Sequence, residues 1–395
     1  MRFRKSKQAL DLNNIIRRKE ETAMNSKYYG ELGVLATKGS DSFIQSVDNY
    51  LKKWREEDGD VKDSYIMQSD CIRFGSGEAK CLIRESCRGK DLFVFADVFN
   101  YGATYKMYGM TVPMSPDDHF QDLKRIIGAM GGKARRVSVF MPMLYEGRQD
   151  KRAARESLDC AEALQELVNL GVTNIITFDA HNSSVQNAIP GKGFDDVRTS
   201  YQMLKSLSKE FPDIKFDPKE LMIISPDEGG TKRAMYYASV LGVDLGMFYK
   251  RRNYTVVIDG RNPIEAHEFL GNRIDGKDVI IVDDMISSGE SAIDVAKELK
   301  KRGARRVFMF ATFGLFCNGC EKFDQAYKDG IITRIFTTNL NYRSEEVRSK
   351  PWYTEVNMCK YVSLLIDTLN KDESISKLLD PVEKIHALVD KARNS

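Results

Sequence analysis

Residues 278–291 read Asp-Val-Ile-Ile-Val-Asp-Asp-Met-Ile-Ser-Ser-Gly-Glu-Ser. An apolar run, Val279 to Val282, ends in two adjacent carboxylates, Asp283 and Asp284. A loop of small residues follows, and then Ala292, Ile293, Ala296 and Leu299 recur on one helical face. The pattern predicts strand, loop and helix. Unpaired amides in such a loop, and the dipole of the helix behind it, both favour an anion. Ser287, Ser288 and Ser291 add hydroxyl donors, and Asp283 and Asp284 can accept from the hydroxyls of a sugar. A phosphate beside a diol suggests a ribose 5-phosphate. A buried parallel strand with an ordinary turn after it has the same signature, so the rest of the chain must decide.

Similar apolar runs lie at 92–96, 137–141, 174–178, 221–225 and 307–311. Helical patterns fall between them, at 118–130, 155–170 and 291–301. This alternation predicts an α/β protein with mostly parallel sheets flanked by helices. The pattern also repeats. Gly89-Lys90-Asp91 opens a segment echoed at Gly276-Lys277-Asp278, and Ala134-Arg135-Arg136-Val137 is echoed at Ala304-Arg305-Arg306-Val307. Two tandem copies of one unit would enclose a cleft. Only the second copy has Asp-Asp followed by Ser-Ser-Gly-Glu-Ser, so the sugar phosphate is expected there. The expected organisation is an extension at 1–29, a first domain at 30–195, a second at 196–379 and a tail at 380–395.

Length and composition agree. The chain has 395 residues, room for two ordinary domains. Its 42% hydrophobic and 30% charged residues are those of a soluble globular protein. Sixty basic and 57 acidic side chains leave a net charge of +3, which gives no case for a nucleic-acid partner. The segment before residue 28 is locally basic and reads as a solvated arm. No run of apolar residues is long enough for a membrane span, and the N-terminus lacks the apolar core of a signal peptide. Seven scattered cysteines fit a reducing, cytoplasmic setting. Cys317-Asn-Gly-Cys320 has no second pair to complete a zinc site and reads as two free thiols.

Four further motifs sit at strand ends. Arg148-Gln149-Asp150, followed by Lys151, Arg152 and Arg155 at the start of a helix, suits a polyphosphate or is a solvated charged turn. Phe178-Asp179-Ala180-His181 places a carboxylate two residues before one of only four histidines. The pair could hold a divalent cation, or His181 could be a core histidine. In Ser225-Pro226-Asp227-Glu228-Gly229-Gly230, Asp227 could ligate metal or ribose, and the glycines let backbone approach a ligand. The alternative is a simple turn. Lys250-Arg251-Arg252 puts three consecutive cations after an apolar run, more than solubility needs. Such an arm can neutralise charge in phosphoryl transfer.

Together these motifs resemble phosphoribosyl pyrophosphate (PRPP) synthetases, the ribose-phosphate pyrophosphokinases, over roughly residues 33–379 and in the same order. The loop at 283–291 resembles the ribose-phosphate loop that this family shares with phosphoribosyltransferases. Phe74-Gly75-Ser76-Gly77-Glu78 looks like the family's nucleotide-base segment. The resemblance implies two tandem phosphoribosyltransferase-like domains that transfer a diphosphoryl group from ATP to ribose 5-phosphate. It implies that Phe74, Ser76, Glu78, Arg148, Gln149 and Asp150 bind ATP. Asp227, Asp283, Asp284, Ser287, Ser288, Gly289, Glu290 and Ser291 would bind ribose 5-phosphate. His181 and Asp227, with Asp179 nearby, would hold Mg2+, and Lys250 and Arg252 would be catalytic. It also implies a homo-oligomer, a dimer or a hexamer built from dimers, in which the Phe74–Glu78 hairpin reaches a neighbouring subunit. The family usually has Asp where this chain has Ser76, and His where it has Phe313. Two rivals are a phosphoribosyltransferase that consumes PRPP and a catalytically silent regulatory homologue. Arg148-Gln149-Asp150 and Lys250-Arg251-Arg252, which a phosphoribosyltransferase does not need, stand against the first; Ser76 and Phe313 motivate the second, and the intact His181, Asp227 and Lys250 stand against it.

Overall fold

Two α/β units follow one another in a computed structural model that describes residues 27–252 and 264–393, apart from the side chains of 250–252 and 264–267. The first unit runs β1 (Glu31–Ala36), α1 (Asp41–Glu57), a hairpin of β2 (Ser69–Arg73) and β3 (Ala79–Ile83), β4 (Lys90–Phe95), a hairpin of β5 (Thr104–Met107) and β6 (Met110–Pro113), α2 (Pro116–Met130), β7 (Arg136–Phe140), α3 (Asp159–Asn169), β8 (Asn174–Phe178) and β9 (Gly193–Val197). The second runs α4 (Ser200–Glu210), β10 (Leu221–Ser225), α5 (Thr231–Leu241), β11 (Asp244–Arg252), β12 (Ile264–Leu270), β13 (Asp278–Ile286), α6 (Glu290–Lys301), β14 (Val307–Gly314), α7 (Glu321–Lys328), β15 (Arg334–Thr338), α8 (Glu345–Ser349), β16 (Tyr353–Val356), α9 (Cys359–Asn370), α10 (Ser376–Leu379) and α11 (Val382–Arg393).

The first sheet has the order β1-β4-β7-β8-β9, all parallel. The second has the order β12-β11-β10-β13-β14-β15-β16, parallel except for the β11–β12 hairpin at its edge. Strands β10-β13-β14-β15-β16 repeat the order of the first sheet, with β11 added in parallel outside β10 and β12 antiparallel beyond it. In each copy a hairpin is inserted between the first two strands of the unit, β2–β3 in one and β11–β12 in the other. The inner strands are buried on both faces, as parallel strands under two helical layers must be.

The repeat has a physical basis. Asp91, the second residue of β4, is fully buried and pairs with Arg136 at 2.6 Å. Asp278 opens β13, is buried in the same way and pairs with Arg305 at 2.8 Å and Arg306 at 2.6 Å. A buried carboxylate is tolerated only with such partners, so Lys-Asp and Ala-Arg-Arg recur together. Local signals set the helices. Before α2, Ser115 and Asp118 form a reciprocal capping box, Pro116 follows, and Gly131 closes the helix in the left-handed region. Its apolar face, Phe120, Leu123, Ile126, Ile127 and Met130, is buried in the first core.

Four expectations are corrected. The helix expected from Arg155 begins at Asp159, and Lys151, Arg152 and Arg155 lie in an exposed loop before it. Cations oppose the dipole at a helix start, whereas Asp159 and Glu162 suit it. The strand expected to end at Val282 continues to Ile286, because pairing with β14 persists through Asp283↔Ala311 and Ile286↔Gly314. The first sheet extends to Val197, past the expected boundary at 195. The expected tail at 380–395 contains α11, whose Ile385 and Val389 are buried in the main core; α11 packs on α4 and α5.

The units are joined by more than the cleft. Helix α9 of the second unit packs on α1 of the first. Asn370 at its end accepts from the buried Arg55 at 2.6 and 2.9 Å, and its amide donates to Asp91 at 2.8 Å. Tyr29 donates its N–H to the Asn370 carbonyl, so the far end of the expected extension is anchored; residues 1–26 lie outside the described residues. Among the described residues no helix is long and apolar enough to cross a membrane.

Candidate functional site

The C-terminal ends of β8, β10 and β13 converge where the two units meet. Asp284 is 4% exposed there. Its Oδ2 lies 2.9 Å from His181 Nδ1, which comes from the first unit. Arg233, on the first turn of α5, lies 3.6 Å from Asp284 and 3.7 Å from Asp283, and also reaches the Asp179 and Ala180 carbonyls. Burial works against ionisation of Asp284, but His181 and Arg233 outweigh it and hold the carboxyl well below the usual range. Burial first, and then the charge of Asp284, push Asp283 well above that range. The pair therefore favours one charge rather than two. Asp284 also raises His181, against the effect of burial. With Nδ1 held by Asp284, Nε2 is the nitrogen left for a ligand.

The loop after β13 is built to leave its amides open. Gly289 has φ +78, and a Cβ there would come within 2.0 Å of the Phe323 ring, so only glycine fits. Gly289 caps α6 with no side-chain hydrogen bond. Among the described hydrogen bonds, none uses the N–H of Ser288, Gly289, Glu290 or Ser291. From behind, Leu315 and Phe316 donate to the Ile286 carbonyl and Cys317 to the Ser287 carbonyl. The Ser287 hydroxyl contacts the Cys317 sulfur at 3.6 Å. Glu290 turns to Lys322 on α7 and forms an exposed ion pair with it. Cys320 is buried while Cys317 is exposed, so the CxxC is two separate thiols.

At the end of β10, the Asp227 Oδ1 accepts the Gly230 N–H at 3.1 Å, and its carbonyl accepts from Ser225 and Thr231. Asp179 has φ +40, and its Oδ2 accepts from the Thr199 N–H, the Thr199 hydroxyl and the Thr312 hydroxyl. Of the three expected metal ligands, Asp179 is thus committed elsewhere. Among the described residues no three His, Cys, Asp or Glu side chains come together as a self-sufficient cation site. Mg2+ needs only one or two protein ligands when phosphates and waters complete its shell, so His181 and Asp227 fit that use.

The other expected residues divide. Asp150 accepts from Asn182 at 2.6 Å, next to His181, so it joins the cluster. Gln149 turns to the Ser157 carbonyl at 2.9 Å, and Arg148 is exposed. Lys250 and Arg252 have their backbone in β11, where Lys250 pairs with His267; their side chains lie outside the described residues. Phe74, Ser76 and Glu78 form the tip between β2 and β3. Phe74 is 50% exposed, and Ser76 donates to Glu78 at 2.9 Å. The tip is tied to the β5–β6 hairpin through the Tyr108 N–H and the Gly75 carbonyl. Among the described hydrogen bonds and ion pairs none connects it to the His181 cluster.

Arg233 was not expected. One signal was available: an arginine three residues after Gly-Gly sits in the first turn of a helix, where a cation opposes the dipole and needs acceptors from outside. Thr199 and Thr312, which hold Asp179, carry no comparable signal.

Two family models match the chain: the N-terminal domain of ribose phosphate pyrophosphokinase over residues 32–171 and the phosphoribosyl transferase domain over residues 195–347. The chain is 27% identical to the ribose-phosphate pyrophosphokinase of Vibrio cholerae over 80% of its own length and 93% of that protein. It is 28% identical to that of Mycoplasma genitalium over 82% of its length and 90% of that protein. Among solved structures, the phosphoribosylpyrophosphate synthetase from Mycobacterium smegmatis has the same fold, with a TM-score of 0.68 at 21% identity over 87% of this chain and 99% of that one.

Proposed function

The chain belongs to the ribose-phosphate pyrophosphokinase family, and from that premise we propose that it transfers the β,γ-diphosphoryl group of ATP to the C1 hydroxyl of ribose 5-phosphate, giving PRPP and AMP. One observation carries the reading: amides at 288–291 that no described hydrogen bond uses follow Asp283 and Asp284 in the same segment, where Asp284 meets His181 and both carboxylates face Arg233. The amides and the serine hydroxyls take the 5-phosphate, and Asp283 and Asp284 take the ribose hydroxyls. Arg148, Gln149 and Asp150 hold ATP beside His181. Lys250 and Arg252 neutralise the phosphates as charge moves to the leaving oxygen. Mg2+, when bound at His181 and Asp227, supplies further neutralisation of phosphate charge. Asp284 then has two roles, since its bond to Nδ1 fixes the imidazole for that use.

Oligomerisation belongs to the same reading. Phe74, Tyr108 and Met110 are large, exposed and adjacent on the two hairpins, which suits a tip covered by a second copy.

The test is incubation with ATP, Mg2+ and ribose 5-phosphate. AMP and PRPP should appear in equal amounts. ADP in place of AMP would mean a simple kinase. Nucleotide formed from PRPP and a free base would mean a phosphoribosyltransferase, and binding of both substrates without AMP would mean a silent homologue.

A further inference from the structure

Cys71 and Cys81 lie on the two arms of the β2–β3 hairpin, directly opposite one another in its register. The phase of the ladder is fixed from both ends. At the tip, the Phe74 N–H donates to the Glu78 carbonyl at 2.7 Å; at the base, the Arg84 N–H donates to the Gln68 carbonyl at 3.0 Å. Bonded and unbonded pairs alternate in an antiparallel ladder. Counting from either end makes Cys71–Cys81 an unbonded pair. Such pairs have the closer backbones, with Cα atoms about 4.5 Å apart and side chains leaning together. That spacing lies within the range a disulfide spans.

Both strands alternate between half-buried and exposed residues, and both cysteines fall on the half-buried face. That face packs on α2, where the Cys71 sulfur lies 3.9 Å from the Asp122 carbonyl. Neither thiol is fully covered. The two differ in acidity. Contact with Cys81, then burial, pushes the Cys71 thiol up, whereas contact with Cys71 brings Cys81 down. Cys81 is thus the thiol that more readily becomes a thiolate. The remaining cysteines offer nothing similar: Cys87, Cys160, Cys320 and Cys359 are buried, and exposed Cys317 faces Ser287.

We propose that Cys71 and Cys81 are a redox-active dithiol that closes to a cross-strand disulfide by exchange with a low-molecular-weight disulfide such as oxidised glutathione. The Cys81 thiolate attacks one sulfur of the small disulfide, breaks its S–S bond and releases one thiolate. Cys71 then gives its proton to solvent, attacks the Cys81 sulfur of the mixed disulfide and releases the second thiolate. The protein dithiol loses two electrons and the small disulfide gains them. Intracellular disulfides are typically transient and redox-sensing, and this one would pin the two strands just below the Phe74–Glu78 tip. Its consequence for nucleotide binding rests on the proposed function; the closure itself does not.

The experiment treats the full-length protein with oxidised glutathione, alkylates the remaining thiols and digests with trypsin. Two of the seven cysteines should escape alkylation, and residues 63–73 should be recovered joined to residues 81–84 within one chain. Dithiothreitol should reverse the link. Cys71→Ser should trap glutathione on Cys81, whereas Cys81→Ser should slow modification of Cys71 about tenfold or more. Val at both positions suits a strand and should fold with the other five thiols no more reactive than before. A product with glutathione only on Cys317, a stable mixed disulfide at Cys81 that never closes, or a link between chains would overturn the proposal. Closure with an unchanged KM for ATP would uphold the dithiol and remove the hairpin from nucleotide binding, so the two readings fail separately.

Discussion

Strand β4 with its loop and strand β13 with its loop are two versions of one segment. Asp91 stands where Asp278 does, Asp97 where Asp284 does, Gly102 where Gly289 does and Ala103 where Glu290 does. The strands match up to Phe95 and Val282, after which β13 alone continues to Ile286, and each loop glycine is closed over by an aromatic ring, Tyr342 in one case and Phe323 in the other. The difference lies in what fills the loop. In the first copy, Asn100 Oδ1 accepts the N–H groups of Gly102 and Ala103, and its amide donates to the Gly39 carbonyl. Asp97 accepts the Phe99 and Tyr342 N–H groups and braces the two units together. In the second copy Ser287 replaces Asn100, and the amides stay open. One loop is closed by its own side chain, and in the other no described hydrogen bond uses the amides at 288–291. The same segment thus carries a side chain that bonds its own loop amides in the first copy and lacks one in the second.

The inserted hairpins extend the comparison and carry the largest expected effect. If β11–β12 brings charge to the reaction and β2–β3 brings a surface for the base, their variants should fail differently. Lys250→Ala should lower kcat by about 10²–10³ with little change in KM, since it removes a transition-state contact. Phe74→Ala should act mainly on KM for ATP. Steady-state kinetics on both variants decides this, and a Lys250→Ala change confined to KM would make the second hairpin a binding arm as well.

Next in size is the pair of mirror substitutions at the strand ends. Asp284→Asn should lower turnover by about 10–100-fold, because His181 loses the partner that orients it. Its pKa, read by NMR, should fall, since Asp284 is the main influence raising it. Asp97→Asn should leave turnover within about twofold and show itself in stability. Burial raises the Asp97 pKa to about 6, above its unfolded value, so the native state holds a proton that the unfolded chain has lost. Stability due to this group declines as pH rises from about 4 through 6, by on the order of 2–3 kcal/mol. The asparagine cannot accept both N–H groups, which costs about 1–3 kcal/mol at any pH. In urea melts the variant's deficit should therefore be largest near pH 4 and shrink by pH 7. A deficit that grows with pH would show that Asp97 is a stabilising charge.

These contrasts mark what the sequence discloses. The order of the strands, the repeat and the small-residue loop were legible because they rest on local pattern: apolar runs, small residues and paired Lys-Asp and Ala-Arg-Arg segments; the end of β13 was not, because it is set by pairing with β14. Asp284 stood out in the sequence at the end of an apolar run, but its contact with His181 did not, since it joins residues from two units. Arg233 showed only as a misplaced helix cation. Of the two short hairpins, β2–β3 was expected only from the resemblance and β5–β6 not at all, because strands of four or five half-exposed residues carry little periodicity. The helix at the C-terminus was read as a tail because its buried stripe has meaning only against α4 and α5.

The two loop glycines give a smaller test. Gly289→Ala forces a left-handed φ and an overlap with Phe323, worth about 1–3 kcal/mol of local strain. It should raise the ribose 5-phosphate KM by about tenfold, as the amides turn away. Gly102→Ala would press on Tyr342 and should cost stability without changing that KM. Equal effects on KM would mean that both loops shape the sugar site.

The smallest expected effect falls on the most suspicious residue of the second loop. Where the first copy has Ala103, the second has Glu290, a carboxylate in a loop assigned to phosphate. Facing the anion at ~4 Å, it would cost roughly 1 kcal/mol in water and about 4 at an effective dielectric of 20. Its side chain instead pairs with Lys322, and both are more than half exposed. The backbone N–H of Glu290, in the first turn of α6, remains available to an anion whatever the side chain does. An exposed pair of this kind contributes about 1 kcal/mol or less. Glu290→Gln should therefore shift the ribose 5-phosphate KM by no more than about twofold and leave the melting temperature nearly unchanged. Lys322→Ala should be equally mild. A Glu290→Gln variant that binds ribose 5-phosphate tenfold tighter would show that the carboxylate swings onto the phosphate in the working enzyme. The second loop would then be restrained by its own side chain, as the first is by Asn100.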